Sequence, residues 1–166
     1  MSKKNRETKT PVDFDIGIGD VIPSPPSRGS LSEKIQAGEK GHLLLFKNNL
    51  TQKITVAIKG KNQFPTTNEV FIFIVQYFVS KKDYSRRDID NMAKTVLDVL
   101  KGKFYDDDCK VKTLLIGKKI EERIPQNFAY IAIKELKDGR DVEALKTSGL
   151  ERSIFLFHEL KKQGVL

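Results

Sequence analysis

Acidic side chains collect at two places within one short stretch of this sequence. Residues 86 to 109 read RRDIDNMAKTVLDVLKGKFYDDDC, with Asp88 and Asp90 near the start and Asp106, Asp107 and Asp108 near the end. Carboxylates brought together need compensation, because two of them at about 4 Å repel by about 1 kcal/mol in water and by several times that near a protein surface. Either their pKa values rise or cations bind, and an all-oxygen ligand set favours magnesium or manganese. Such an ion polarises a phosphodiester, makes hydroxide available near neutral pH and stabilises the leaving oxygen. The density of acids therefore points to phosphodiester hydrolysis. A plainer reading stands beside it. Asp is a favoured turn residue, so DDD alone fits an exposed acidic turn. Asp88 or Asp90 could also serve only as a helix cap, worth about 1 kcal/mol. One cap does not call for two acids, Asn91 and Lys94 in the same run.

The elements that must position these residues follow from periodicity. Ile89, Ala93, Val96, Leu97 and Leu100 recur every three to four residues and stop at Gly102, which predicts a helix over 89–101 with one buried face. Asp90, Lys94 and Asp98 then stand at i, i+4 and i+8 on the polar stripe beside that face. The acids at 106–108 can return to the start of this helix only if the next strand lies beside the preceding one. That preceding strand is VFIFIVQYFV over 70–79, β-branched and aromatic, which predicts a central strand. Strands are also expected at 110–117 and 128–135, paired as a hairpin through the charged connection KKIEERIPQN. Upstream, 12–22 is partly β-like and 23–30 (PSPPSRGS) is a loop. Leu43, Phe46, Leu50, Ile54, Ala57 and Ile58 predict a helix from about 40 to 59, with Ser30 and Glu33 as a possible capping box before it.

Composition bounds the rest. A chain of 166 residues supports one core with terminal extensions: a basic arm over 1–10, expected to be disordered, a domain over 11–137 and a helical extension over 138–166. In that extension Leu150, Ile154, Phe157 and Leu160 form one apolar stripe suited to packing. A net charge of +8 suits a polyanionic partner such as nucleic acid, without specifying one. A single cysteine, Cys109, excludes an internal disulfide and a cysteine-based zinc site, and fits a reducing cytoplasm. The N-terminus lacks the apolar core of a signal peptide, and no apolar run reaches the roughly 20 residues of a membrane helix. The expected location is the cytoplasm, at the nucleoid in a bacterial or phage setting. His42 and His158 have no partner at metal-ligand spacing, and Gly17 and Gly19 lack the rest of a phosphate loop.

RRDIDN, then Lys94, then a helix ending in Gly102 and an aromatic, then the acids, closely resemble the RusA family of Holliday junction resolvases. PPS at 25–27 stands where that family has a proline-rich turn after its first strand, and the resemblance covers about 11–137. It implies a small α/β domain of mixed α+β type, a mixed sheet flanked by helices. It further implies that Asp88, Asp90 and Asp108 hold Mg2+, with Mn2+ as an alternative, and that Asp107 joins them. Lys94 matches the family's catalytic lysine, binding the scissile phosphate or stabilising transition-state charge. The competing role for Lys94, an exposed ion pair with Asp90 or Asp98, contributes only about 0.3–0.5 kcal/mol and leaves the rest of the motif unaccounted for.

By the same resemblance the substrate is a four-way DNA junction met in recombination and repair. A homodimer presents one site to each of two opposed strands, and each cut leaves a 5′-phosphate and a 3′-hydroxyl. Arg86, Arg87, Lys101, Lys103, Lys110 and Lys112 are candidates to follow the phosphate backbone. Two departures stand out: Asp106 makes a third acid where the family needs two, which leaves the register open by one residue, and the family domain does not need the extension beyond 138. Two rival functions remain, a noncatalytic branched-DNA or RNA-binding protein on the same fold and a less selective flap or single-strand nuclease.

Overall fold

A computed structural model describes residues 12–24 and 33–137. The N-terminal arm, the PPS turn, Ser30 and the Leu150–Leu160 stripe lie outside the described residues. The elements run β1 (Phe14–Ile18), α1 (Glu33–Ile58), β2 (Glu69–Phe78), α2 (Lys81–Ser85), α3 (Ile89–Leu100), a 3-10 turn (Asp108–Lys110), β3 (Val111–Ile120) and β4 (Phe128–Leu136). The strands form one mixed sheet in the order β1-β4-β2-β3, flanked by helices as expected.

β2 pairs in parallel with β3 and antiparallel with β4. The expected β3–β4 hairpin is therefore wrong: β2 lies between its two members. The reason is burial. Along β2 six of ten residues are buried and three more half-buried, so this strand needs partners along both edges, whereas β3 is half-exposed and suits an edge. The connection after Ile120 crosses over the end of β2 instead of turning tightly. Glu121 N donates to Phe78 O at 2.9 Å, and Asn127 Oδ1 accepts from Val79 N at 2.8 Å. β3 also continues three residues into the stretch expected to be loop, ending at Ile120.

A parallel β2–β3 pair requires a crossover, and α2 with α3 supplies it. Along α3, Met92, Val96, Val99 and Leu100 are buried and join the core between sheet and helices. On α1, Phe46, Leu50 and Ile54 reach the same core, but this helix begins at Glu33, well before the expected 40. Its first turns, EKIQAGEKGH, hold two glycines and little apolar period, so no local signal marks them. After α3, Gly102 adopts a positive φ of 77°, a conformation easily reached only without a Cβ. Phe104 and Tyr105 then bury fully, Thr66 N donates to Phe104 O at 2.8 Å, and the chain re-enters the sheet through Asp106–Lys110.

Candidate active site

The parallel pairing of β2 and β3 meets the condition that the sequence left open. Asp108 lines the same cleft as Asp88, Asp90 and Lys94, a depression of about 960 Å³ completed by Arg87, Ile89, Ala93, Leu97, Asp98, Leu114, Ile116 and Lys118. Two neighbouring ridges of α3 form one wall: Ile89, Ala93 and Leu97 on the first, Asp90, Lys94 and Asp98 on the second. Ile89 was expected in the core. Ile89 instead remains 38% exposed, because the buried stripe is turned toward Met92, Val96 and Val99 and its flank is left to line the cleft.

Asp88 occupies the N-cap position of α3, yet its side chain makes no capping hydrogen bond. The cap explanation for this acid therefore fails. Asp90 follows in the first turn, and both carboxylates gain from the positive end of the helix dipole. Asp88 N approaches Ser24 Oγ at 3.3 Å. Behind Ser24, Thr95 Oγ1 donates within reach of Pro23 O at 3.1 Å and Asn91 O at 3.0 Å, which fastens residues 20–24 against α3.

The other acidic limb is already paired. Lys101 Nζ donates to Asp107 Oδ1 at 3.2 Å and to Asp108 Oδ2 at 3.1 Å. Asp107 also accepts from Asp108 N at 2.7 Å and caps the 3-10 turn. The Lys101 hydrogen bond, with that backbone donor, holds the Asp107 carboxyl below its ordinary value, while the hydrogen bonds that Lys101 donates to Asp108 and Asp107 push its ammonium up. Tyr105, beneath this turn, is pushed up by burial first and by Asp108 and Asp98 second.

Lys94 makes no hydrogen bond or ion pair among the described residues; Asp98, its expected partner, is taken by Lys47 Nζ at 2.8 Å. The remaining basic residues separate. Arg86 is exposed, and Lys103 and Lys110 are half-buried. Lys112 reaches Glu69 at 3.3 Å. Arg87 turns inward: only 17% of its side chain is exposed, Nη1 lies 3.8 Å from Glu39 Oε2, and its buried Nε has no partner among the described residues. Sequence reasoning missed Ser24, Leu114, Ile116 and Lys118, which come from other segments and carry no local signal of a site.

The donor chemistry of Asp88, Asp90 and Asp108 fits a hard divalent cation, since no cysteine or histidine among the described residues lines the cleft. As the side chains stand, no three acids, histidines or cysteines among the described residues converge closely enough to hold a metal. The pairing with Lys101 is a physical reason for that: Asp108 faces a lysine before it can face an ion.

Fold and cleft together define a small α+β protein with carboxylates and a lysine gathered in one groove. The family model described as Endodeoxyribonuclease RusA matches residues 32–133, a span holding α1, β2, α3, β3 and every residue of the cleft. The chain belongs to the RusA endodeoxyribonuclease family, and its general activity is that of a DNA endonuclease of the resolvase type. No individual curated protein matches the chain. Among the described residues, no helix is long and apolar enough to cross a membrane.

Proposed function

We propose that this chain is a Mg2+-dependent Holliday junction resolvase that makes paired, symmetric nicks in four-way DNA junctions as a homodimer. The observation that carries this reading is the meeting of Asp88, Asp90, Lys94 and Asp108 in one cleft from two separate parts of the chain. Asp88, Asp90 and Asp108, with Asp107 beside them, are the residues to hold Mg2+ or Mn2+, which when bound supplies Lewis-acid polarisation of the phosphodiester and a nucleophile at neutral pH. Lys94 projects its ammonium from the same wall with no competing partner among the described residues. It is placed to bind a non-bridging phosphate oxygen and to offset the negative charge that grows as the bond to the 3′ oxygen breaks, an effect worth a few kcal/mol at a preorganised site. The apolar ridge of Ile89, Ala93 and Leu97, facing Leu114 and Ile116, removes water from one side of that charge and strengthens the interaction. Two such clefts related by a twofold axis match the approximate twofold symmetry of a junction.

The test is cleavage of a labelled immobile four-way junction with Mg2+, alongside a flap and a plain duplex, by wild type, Asp90→Asn and Lys94→Ala at matched salt. Paired nicks across the junction, lost in both variants while binding persists, are the expected result. Cutting of the flap in preference to the junction would favour a less selective nuclease. Junction binding without any cutting in Mg2+ or Mn2+ would leave a DNA-binding protein on a nuclease fold.

A further inference from the structure

The cleft contains a lysine that neither the motif nor the family match singles out. Lys118 lies on β3 in register with Gln76 of β2, on the sheet face that carries Ile72, Ile74 and Phe78 and, along β3, Leu114 and Ile116. An apolar side chain would continue that pattern. Instead the half-buried Lys118 sends Nζ to Arg87 O at 2.7 Å and Tyr84 O at 2.9 Å, and the ammonium stands 4.4 Å from the centre of the Tyr84 ring. Two of its three donors are thus spent on main-chain carbonyls in and just after α2, the kind of acceptor that helix termini leave without partners. Gln76, its neighbour across the ladder, does the same for the other strap of the cleft: its side chain accepts from Ile22 N at 2.8 Å and donates to Asp20 O at 3.2 Å. A polar pair in an otherwise apolar face therefore pins both main-chain segments that border the cleft.

Arg87 O belongs to the peptide that leads directly into Asp88. Because the Asp88 carboxylate makes no capping hydrogen bond, its position is inherited from its main chain. That main chain is held on one side by Ser24 Oγ at 3.3 Å and on the other by Lys118. We propose that Lys118 is a positioning residue that sets the place of the Asp88 carboxylate through the Arg87 carbonyl, and so tunes the affinity of the acidic cleft for a divalent cation. This rests on the reading of Asp88 as part of that cleft's cation site. The effect belongs to outer-shell groups that orient metal ligands, whose loss typically costs about 10- to 100-fold in metal affinity or activity.

The test compares full-length wild type with Lys118→Met, which keeps the stem and removes the donors, with Lys118→Arg, which can still donate to two carbonyls, and with Lys119→Met on the adjacent residue. Mn2+ affinity by calorimetry, kcat and KM on the four-way junction, and Tm are measured for each. Lys118→Met is expected to bind Mn2+ about 10- to 100-fold more weakly and to lose kcat by a comparable factor with KM changed by less than about 3-fold. Lys118→Arg should recover most of both losses, and Lys119→Met should match wild type. Should Lys118→Met melt below the assay temperature, Lys118→Gln, which keeps a donor, is read by the same measurements. Wild-type Mn2+ affinity and kcat in the Lys118 variants, or a loss confined to KM, would overturn the proposal, the latter marking Lys118 as a phosphate contact. If wild type itself neither binds Mn2+ nor cuts, the functional reading has failed and the positioning role falls with it; wild-type activity lost in Asp90→Asn but kept in Lys118→Met refutes only Lys118.

Discussion

The strap that carries Ser24 to Asp88 is fastened to α3 by one hydroxyl, and Thr95→Val removes it with little change of shape. Thr95 is 2% exposed and Pro23 is buried. The hydroxyl has one proton and two carbonyls within reach, Pro23 O at 3.1 Å and Asn91 O at 3.0 Å. Asn91 O keeps the ordinary helical donor four residues on, so it loses little. Pro23 O has no other donor among the described residues, and in the variant it becomes a buried acceptor without a partner, at a cost of about 1–3 kcal/mol. Valine fills the same volume, so no cavity cost is added. For a chain of this size each kcal/mol lowers Tm by about 2–4 °C, which sets the expected fall at about 2–12 °C in thermal denaturation followed by circular dichroism. Thr55→Val is the internal control, because Thr55 Oγ1 also donates to a carbonyl four residues back, Thr51 O at 2.8 Å, but on the exposed face of α1. Its Tm should move by less than about 2 °C, in keeping with surface substitutions within about 0.5 kcal/mol. Equal, small shifts in both variants would refute the argument that the Pro23 carbonyl depends on Thr95.

Other outcomes follow from the same geometry. Lys101→Met frees Asp107 and Asp108 from an exposed, salt-screened pair, so Mn2+ affinity by calorimetry should rise by a modest factor, up to about 5-fold; weaker binding would mean that Lys101 organises the acids instead of competing for them. Asp98→Asn breaks only the half-exposed pair with Lys47 and should change unfolding free energy in urea by less than about 1 kcal/mol. Glu135 is buried, which pushes its carboxyl up, but hydrogen bonds from Thr66 Oγ1 and Asn68 Nδ2 outweigh that and hold it below the ordinary 4.5. A carboxyl lowered in the folded state contributes stability that is present above the unfolded value and is lost as pH falls through the folded one. Glu135→Gln should therefore flatten the acid limb of a Tm-against-pH curve, and an unchanged limb would assign it to other groups.

The parts of this fold written in local periodicity were legible from sequence. β2 and α3 lie where the apolar patterns put them, and Asp88 and Asp90 of RRDIDN line one cleft with Asp108 of DDD. What escaped depends on partners far along the chain. The β3–β4 hairpin was the nearest pairing in sequence, but the demand of β2 for two neighbours decides strand order, and no window of residues contains that demand. The same limit hid Lys118: at the head of the charged stretch KKIEERIPQN it reads as one more solvated lysine, and only the crossover brings the Tyr84 and Arg87 carbonyls to it. Arg87 and Lys101 were both read as backbone-tracking cations. The first points toward Glu39 of α1 and the second toward Asp107 and Asp108, pairings that charge counts along a strand or helix do not express.

The place of β3 at the rim of the sheet has a practical side. An edge strand offers an open row of amide and carbonyl groups to any other extended chain, and lysines flanking such a strand are a common defence against that pairing. β3 leaves Leu114 and Ile120 each 36% exposed, with Lys110 and Lys112 at its entrance. Charge-removing substitutions made here to probe DNA contact also strip this protection. A drop in activity of such variants bears on DNA only if the protein elutes at the wild-type size, since self-association through a bared strand would lower activity just as well.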